Sequence, residues 1–260
     1  MFNYRGLMRM RIATYNVWNS EQGMPSRKKY IIKELRKVKA DVVCLQEIGN
    51  RGQAEEIAME AGYRYCYYEN YENEEEGLAI LCNLPYESKA CYFKDANAIA
   101  CTILRDEKRF LVVNVHLPWD GEAERERQIV SMTNYIKDQK CDHVIMAGDF
   151  NCTDTSDVHR FLKGECLLNG VEANPCWFDL ACTYAEINHV QAECTLNFRE
   201  NPRFRGNTIE TNSRVDRILL RNPYPYEFPS LKMCMTFGKT VYEDIDLAAS
   251  DHYGVAVDIE

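Results

Sequence analysis

The chain lacks an excess of positive charge and has no long apolar run. Its 260 residues carry 31 Lys and Arg against 40 Asp and Glu, a formal net charge of −9. Proteins that coat nucleic acid by bulk electrostatics need a basic patch, so the charge argues against that class. No apolar run approaches the roughly 20 residues that span a bilayer, which predicts no transmembrane segment. An acidic protein can still bind phosphates where a metal ion sets the local field.

The sequence also lacks the cysteine spacing of a metal site or a disulfide scaffold. There are 12 cysteines, yet no CxxC pair and no Cys/His cluster with zinc-ligand spacing. Several cysteines sit in apolar runs, such as Cys44 in DVVCLQE and Cys82 in GLAILCNLP. These are typical of small buried side chains in a reducing compartment. With no signal peptide at the start, we expect a cytoplasmic protein.

No repeat, low-complexity tract or Pro/Gly-rich linker divides the chain. We therefore expect one domain over residues 1–260, with 1–9 as a loose N-terminal extension. Helical spacing and possible caps predict helices over 27–39 (with Ser26 as N-cap), 53–61, 122–138 and 156–163. β-rich runs predict strands over 11–18, 40–47, 63–69, 77–82, 98–104, 109–117, 143–150, 214–220, 231–236 and 253–259, and residues 165–212 are expected to be mostly irregular.

Strands outnumber helices, and both alternating and continuously apolar strands occur. A pair of packed sheets flanked by helices fits this pattern better than a single-sheet Rossmann fold. An apolar content of 46% is ample for the core that such an architecture needs.

Polar residues recur at the ends of the predicted strands. A carboxylate in an apolar strand costs several kcal/mol unless it is paired, hydrogen-bonded or metal-bound. One such residue could be a structural exception, whereas a series of them indicates one converging site. The series is Asn16, Glu47, His116, Asp149, Asn151, Asp216, Asp251 and His252.

The chemistry of this series favours a hard metal ion. Three carboxylates (Glu47, Asp149, Asp251) and two amides (Asn16, Asn151) form an oxygen-rich set that suits Mg²⁺ or Mn²⁺. No thiolate is present, and two scattered histidines do not make a zinc site. Such a metal beside a His–Asp pair is suited to moving a phosphoryl group from an ester to water.

Seven short motifs in one order carry a family resemblance. TYNVW, LQE, EGLAIL, NVHL, GDFN, RVDRIL and SDHYGV resemble the motif series of the endonuclease/exonuclease/phosphatase (DNase I-like) superfamily. The resemblance extends from about residue 10 to 259. It implies an α/β (α+β) fold: a four-layer α/β/β/α sandwich of two packed mixed sheets flanked by helices.

The resemblance also implies roles for the oxygen ligands. Glu47 in LQE would be the principal ligand of Mg²⁺ or Mn²⁺, helped by Asn16 and Asp251. Asp149 would orient or deprotonate the attacking water, and Asn151 would hold a non-bridging phosphate oxygen.

For the histidines, the resemblance implies contacts with phosphate. His252 would contact the scissile phosphate, with Asp216 fixing its imidazole, and His116 would be a second phosphate contact. A carboxylate partner raises a histidine pKa, so His252 is expected to be cationic when substrate binds. A lone histidine after an apolar strand, such as His116, is also compatible with a purely structural role.

Two stretches and one tryptophan are candidates for substrate contacts. Phe198 and Phe204 interleave with arginines over 195–217, a pattern that could hold a phosphate chain or stack a base, although ordinary surface arginines fit equally well. The Glu-rich run at 69–76 predicts a solvated loop, which would repel a long polyanion near the site. The predicted substrate-binding residues are Trp119, Arg199, Arg203 and Arg205.

Within the superfamily, TLNFRENP…SRVDRILLR followed by SDHYGV looks most like the 5′-tyrosyl-DNA phosphodiesterase branch and its bacterial relatives. Tyr15 and Phe150 depart from that branch, which has Trp and Thr there. The leading hypothesis is a phosphodiesterase acting on a nucleic-acid end or nucleotide-like diester. The alternatives are a phosphatase or phospholipase-type hydrolase of an inositol phosphate, sphingomyelin-like or other small substrate, and a non-catalytic module. The partner is a phosphate-ester substrate, and the oligomeric state stays open.

Overall fold

The described part of the chain contains alternating strands and helices as well as a run of five consecutive strands. The computed structural model describes residues 9–72, 74–93 and 95–260, so the predicted N-terminal extension lies almost wholly outside the described residues. The elements are β1 (Met10–Asn16), α1 (Ser26–Val38), β2 (Val42–Ile48), α2 (Arg51–Ala61), β3 (Tyr65–Asn70), β4 (Gly77–Cys82), β5 (Tyr86–Tyr92), β6 (Ala98–Arg105), β7 (Lys108–His116), α3 (Glu122–Lys137), β8 (His143–Asp149), α4 (Asp157–Leu162), β9 (Trp177–Asp179), α5 (Leu180–Asn188), a 3₁₀ helix (Pro202–Phe204), β10 (Asp216–Arg221), β11 (Leu231–Phe237) and β12 (Gly254–Ile259).

The strands form two six-stranded sheets of matching design. One has the order β11-β12-β1-β2-β4-β3 and the other the order β5-β6-β7-β8-β10-β9. Each sheet contains one parallel pair, β1 with β2 and β7 with β8, while the other neighbours pair antiparallel. Both sheets are therefore mixed, as the resemblance implied.

Alternation along β2 shows why the sheets stack. Val42 and Cys44 face the second sheet, whereas Val43 and Leu45 belong to the cluster that packs under α1 and α2. On the second sheet, a third cluster joins β7 and β8 to α3 and α4. The predicted four-layer α/β/β/α sandwich is confirmed.

A buried polar link joins the two sheets. Gln46 Nε2 donates to Asn114 Oδ1 at 2.7 Å, and Asn114 Nδ2 donates to the carbonyl oxygens of Leu45 at 2.8 Å and Ala79 at 2.9 Å. Because Gln46 and Asn114 are both fully buried, unpaired amides here would be costly. The link therefore fixes how the sheets align just below the polar edge.

Several sequence predictions need correction. Ser26 is the first residue of α1 rather than its cap; Pro25 occupies the N-cap and no side chain caps this end. Residues 165–212, predicted mostly irregular, contain β9, α5 and the 3₁₀ helix, and β5 was not predicted. Residues 53–61 are helical as expected, but α2 begins at Arg51, with Asn50 accepting from the backbone N–H of Gln53. Of the helices in the described ranges, none is both long and apolar enough to cross a membrane.

Candidate active site

The strand ends bring the predicted residues to one edge of the sandwich. β1 and β2 run parallel and pair Asn16 with Gln46, next to Glu47. β7 and β8 run parallel and pair His116 with Asp149, which also pairs with Asp216 on antiparallel β10. Carboxyl ends of parallel strands meet at the same sheet edge, so both sheets present their polar residues together.

His252 lies between two carboxylates. Its Nδ1 is 2.9 Å from Asp216 Oδ2, and its Nε2 is 3.8 Å from Asp149 Oδ2. Burial alone would lower the pKa of His252, but the charges of Asp216 and Asp149 outweigh it and raise the pKa well above the ordinary value. The two carboxylates therefore favour the protonated imidazole.

Asp149 is held in one orientation from both sides. Its Oδ2 accepts from Asn16 Nδ2 at 3.1 Å, and its Oδ1 accepts from the backbone N–H of Asn151 at 2.8 Å. His116 Nε2 lies 3.7 Å from the same Oδ2. The carboxylate is almost fully buried, so these contacts within the protein decide its orientation.

Glu47 reaches this edge through a distorted strand. Its φ is 58°, in the left-handed region, and the pairing of β2 with β4 shifts register between Leu45 and Ile48. In a regular strand Gln46 and Glu47 would point to opposite faces. The bulge lets Gln46 bind between the sheets while Glu47 turns to the site. A non-glycine residue at positive φ costs about 1–3 kcal/mol and commonly marks a functional position.

Asn16 bridges the two acidic groups. Its Nδ2 donates to Glu47 Oε1 at 2.8 Å as well as to Asp149, and its Oδ1 accepts from the backbone N–H of Trp18 at 3.0 Å. Asn16 thus orients two carboxylates in the structure, whereas the resemblance implied that it helps to bind the metal.

Asp251 enters the site from the segment before β12. Ser250 Oγ donates to the carbonyl oxygen of Asn16 at 2.7 Å, which ties this segment to β1. Burial raises the pKa of the Asp251 carboxyl, and the negative charge of Glu47 raises it further. Two carboxylates that repel each other in this way are a donor pair that a divalent cation would stabilise.

Ligand atoms of a second group also lie close together. Those of Asp149, Asp216 and His252 are all within 4.8 Å of one another. A protonated His252 between the two carboxylates satisfies this group without a metal. A comparable cluster of Asp154, Asp179 and Cys182 surrounds buried Arg214 and Arg217, whose guanidinium groups already pair with both carboxylates.

Sequence reasoning missed three residues beside the site. The Tyr71 hydroxyl lies 2.6 Å from His116 Nδ1, and buried Tyr71 therefore fixes that ring. The backbone N–H of Asn19 donates to Glu47 Oε2 at 3.0 Å, and its Nδ2 donates to Glu76 Oε2 at 2.6 Å. Glu76 belongs to the run interpreted as a solvated loop, yet it is also the first residue of the EGLAIL motif, which is the signal that could have singled it out.

Two backbone features shape the end of β8 and the residues that follow it. Gly148 has a φ of 156°, and a Cβ there would lie 1.8 Å from the carbonyl oxygen of Val115, so only glycine allows β8 to approach β7. Asn151 has a φ of 48°, and its Nδ2 donates to the carbonyl oxygen of Leu117 at 2.8 Å. This bond fixes the Asn151 amide beside Asp149.

The predicted substrate-binding residues differ in their surroundings. Trp119 is 80% exposed, and Arg125 Nη1 holds its backbone by donating to its carbonyl oxygen at 3.0 Å. Arg199 donates to the carbonyl oxygens of residues 207 and 210, both at 2.7 Å. Arg205 pairs with Asp246, at 2.7 Å between Nη2 and Oδ1. The Arg203 guanidinium lies 5.1 Å from the ring centroid of Trp18.

Comparison with known proteins identifies the family. The model of the endonuclease/exonuclease/phosphatase family matches residues 13–252. The chain belongs to this family. The match encloses the series from Asn16 to His252, and the family's members are hydrolases of phosphate esters, so membership supports that class of reaction.

Solved structures share the fold at low sequence identity. D. rerio TDP2, complexed with a single-strand DNA product, has a TM-score of 0.78 and 16% identity over 97% of this chain and 99% of its own. An endonuclease/exonuclease/phosphatase from Bacteroides vulgatus has a TM-score of 0.74 and 18% identity over 97% and 98%. A functionally unknown protein from Enterococcus faecalis V583 has a TM-score of 0.71 and 18% identity over 96% and 99%. No curated protein matches by sequence. The neighbours share the fold of this chain, and the family match confirms the predicted superfamily.

Proposed function

We propose that the chain is a Mg²⁺- or Mn²⁺-dependent phosphodiesterase that hydrolyses a nucleic-acid end or a nucleotide-like diester by attack of water. The observation that carries the proposal is the His252 imidazole between Asp216 and Asp149, at the strand-end edge that also holds Glu47 and Asp251.

Glu47 and Asp251 would hold the metal, with Asn16 keeping Glu47 in place. A divalent cation bound there would neutralise the phosphate and stabilise the leaving oxygen. The all-oxygen donor set suits Mg²⁺ or Mn²⁺, because carboxylate and carbonyl oxygens are their preferred ligands.

The remaining groups would act on water and phosphate. Asp149 orients or deprotonates the attacking water, since Asn16 and the backbone of Asn151 leave it one orientation. His252 stabilises the charge that develops on the scissile phosphate. The amide of Asn151 holds a non-bridging oxygen, and His116, fixed by Tyr71, adds a second phosphate contact.

The choice of substrate rests on shape and charge. The fold shared with a TDP2 complexed with a single-strand DNA product supports a nucleic-acid end. A second candidate, hydrolysis of a small phosphorylated molecule, is favoured by the exposed Glu72, Glu74 and Glu75 next to Glu76, because this acidic rim would repel a long polyanion.

The test is metal-dependent turnover by the wild type, Glu47→Ala and a control, Glu56→Ala, which only removes an ion pair with Lys28. The substrates are a 5′-tyrosyl oligonucleotide, an abasic duplex, an inositol phosphate and sphingomyelin. Turnover that needs the metal, survives in Glu56→Ala and vanishes in Glu47→Ala is expected, with the oligonucleotide preferred. Preference for the inositol phosphate or sphingomyelin would select the second candidate, and absence of both metal binding and turnover would indicate a non-catalytic module.

A further inference from the structure

The three arginines of the 199–205 stretch are not equivalent. Arg199 is engaged by backbone carbonyl oxygens and Arg205 by Asp246. Across the residues that the structure describes, the exposed guanidinium of Arg203 forms neither a hydrogen bond nor an ion pair. Its hydrogen-bond donors are therefore free to bind an anionic ligand.

Trp18 provides a fixed surface beneath Arg203. The Arg203 Cζ atom lies 5.1 Å from the centroid of the Trp18 ring, and the Cζ of Arg27 lies 4.4 Å from it. Arg27 is fully buried and donates to the carbonyl oxygens of Val17 at 2.8 Å and Trp18 at 2.7 Å. The hydrogen bonds of Arg27 and its contact with the ring hold Trp18 in place. The cation–π contact with Trp18 then restricts the position of the Arg203 side chain.

Hydrogen bonds connect the same turn to the proposed metal ligands. Asn201 Nδ2 donates to the carbonyl oxygens of Ser250 at 2.9 Å and Asp251 at 3.1 Å, and its Oδ1 accepts from the backbone N–H of Arg203 at 3.1 Å. From the other side, the backbone N–H of Trp18 is bound to Asn16. Arg203 and Trp18 thus flank the site next to Asp251.

The charge of Arg203 indicates that the surface formed by Arg203 and Trp18 would bind an anion. The positive charge of Arg203 acts on Asp251, yet the two side chains form no ion pair. The scissile phosphate would already be contacted by His252, Asn151 and the metal ligands, so a cation beside them suits a neighbouring anion. A guanidinium presents paired N–H groups that match phosphate oxygens.

We propose that Arg203, supported by Trp18, forms a subsite for a second phosphate group of the substrate, next to the phosphate that is cleaved. The inference rests on the proposed function and narrows it: the preferred substrate is a diester that carries a further phosphate, such as a nucleic-acid end longer than one nucleotide. A single phosphate subsite beside an acidic rim selects short anionic ends rather than long duplexes.

Two chromogenic substrates that differ by one phosphate test the subsite. They are the p-nitrophenyl ester of thymidine 5′-phosphate and the same ester carrying an additional 3′-phosphate. The measured quantity is the ratio of kcat/KM for the second substrate to that for the first. We expect the wild type to prefer the bisphosphate by about tenfold to hundredfold, as one charge-assisted phosphate contact would give. Arg203→Gln should bring the ratio close to one. The matched control, Arg109→Gln, removes an exposed arginine that pairs with Glu87 at the end of β7 opposite His116, and should keep the ratio.

A binding measurement separates the subsite from catalysis. Calorimetry with Mg²⁺ compares thymidine 3′,5′-bisphosphate with thymidine 5′-phosphate on the same three proteins. Without turnover, a bisphosphate preference lost only in Arg203→Gln would uphold the subsite while the proposed function fails. Equal ratios in wild type and Arg203→Gln, by kinetics or by binding, would overturn the subsite. An equal loss of the preference in Arg109→Gln would overturn it too.

Discussion

Replacing Asp216 by Asn separates the catalytic role of the His252–Asp216 pair from its role in folding. Asp216 is fully buried, and its Oδ2 lies 2.9 Å from His252 Nδ1. Asparagine keeps the shape and removes the charge that raises the pKa of His252. The imidazole would then keep a hydrogen-bond acceptor but lose the strongest of the charges that favour its protonated form.

The expected loss follows from the contacts that remain. A charge-assisted hydrogen bond contributes about 1.5–3 kcal/mol, or roughly tenfold to hundredfold in rate. The same exchange in a serine protease triad costs about 10⁴ in kcat. Asp149, 3.8 Å from His252 Nε2, keeps part of the field. We therefore expect kcat to fall by about 10²–10³ in Asp216→Asn.

Stability should hardly change in the same variant. Burial and the charge of Asp149 raise the pKa of Asp216, and its Oδ1 has no hydrogen-bond partner among the described residues. Removing the charge relieves the cost of burial and the repulsion by Asp149 but also loses the attraction to His252, and because these effects oppose one another the free energy of unfolding should change by less than about 1 kcal/mol.

Asp258→Asn is the matched control at a buried aspartate away from the site. Asp258 accepts from Arg11 Nε at 2.6 Å and from Nη2 at 2.9 Å. Because Arg11 is partly exposed, loss of its ion pair with Asp258 should lower the free energy of unfolding by about 1–3 kcal/mol, while kcat stays at the wild-type value. Steady-state kinetics and urea unfolding of both variants make the comparison. A wild-type kcat in Asp216→Asn, or an equal loss of kcat in both variants, would refute the reasoning.

Three further predictions concern packing, pH and metal. Gly148→Ala should lower the free energy of unfolding by at least about 3 kcal/mol in urea, because its Cβ would meet the carbonyl oxygen of Val115 at 1.8 Å. Gly62→Ala, which has open space around it, should lower the free energy of unfolding by only about 1 kcal/mol. Similar losses in the two variants would contradict the packing argument. Burial first, and then the charge of Arg217, lower the pKa of His159 to about 2, whereas in the unfolded chain it is about 6.5. Below pH 6.5 only the unfolded chain therefore takes up a proton at this residue, and the free energy of unfolding decreases as the pH is lowered. Between pH 6.5 and 5 the wild type should lose about 2 kcal/mol more than His159→Gln in urea unfolding, and parallel losses would refute this. Mg²⁺ at a hundredfold excess over its Kd should stabilise the wild type by about 2.7 kcal/mol in thermal melts but not Glu47→Gln, and an equal Tm shift in both would place the metal elsewhere.

The sequence predicts structure best where the local pattern of a strand, an apolar run followed by a polar residue, decides where each side chain lies. β2, β7 and β8 each hold a run of apolar residues with a polar residue at or near the end of the strand, so both the strands and the convergence of Glu47, His116 and Asp149 could be predicted. In contrast, α5 is only nine residues long and is capped by Asp179. The sequence contains this capping residue, but the many polar residues around it made the helix difficult to predict. β5 pairs with a single strand and with shifted register, so no regular alternation marks it.

Contacts between distant segments could not be predicted. Tyr71 and His116 are separated by 45 residues, and no local pattern links them. The left-handed conformation of Glu47 depends on the bulge against β4, which the letters LQE do not reveal. The sequence does not distinguish Arg199, Arg203 and Arg205 from one another. They differ only in the groups that their guanidinium groups contact in the folded protein.

The most direct test of the central claim is the hydrolysis of bis-p-nitrophenyl phosphate, which needs no particular substrate branch. The rate is measured for the wild type with Mg²⁺ or Mn²⁺, for the wild type after chelation, and for Asp149→Asn with metal. We predict p-nitrophenolate release that requires the metal and falls by at least about 10²-fold in Asp149→Asn. Undiminished hydrolysis by the chelated protein or by Asp149→Asn would contradict a metal-dependent reaction at this site.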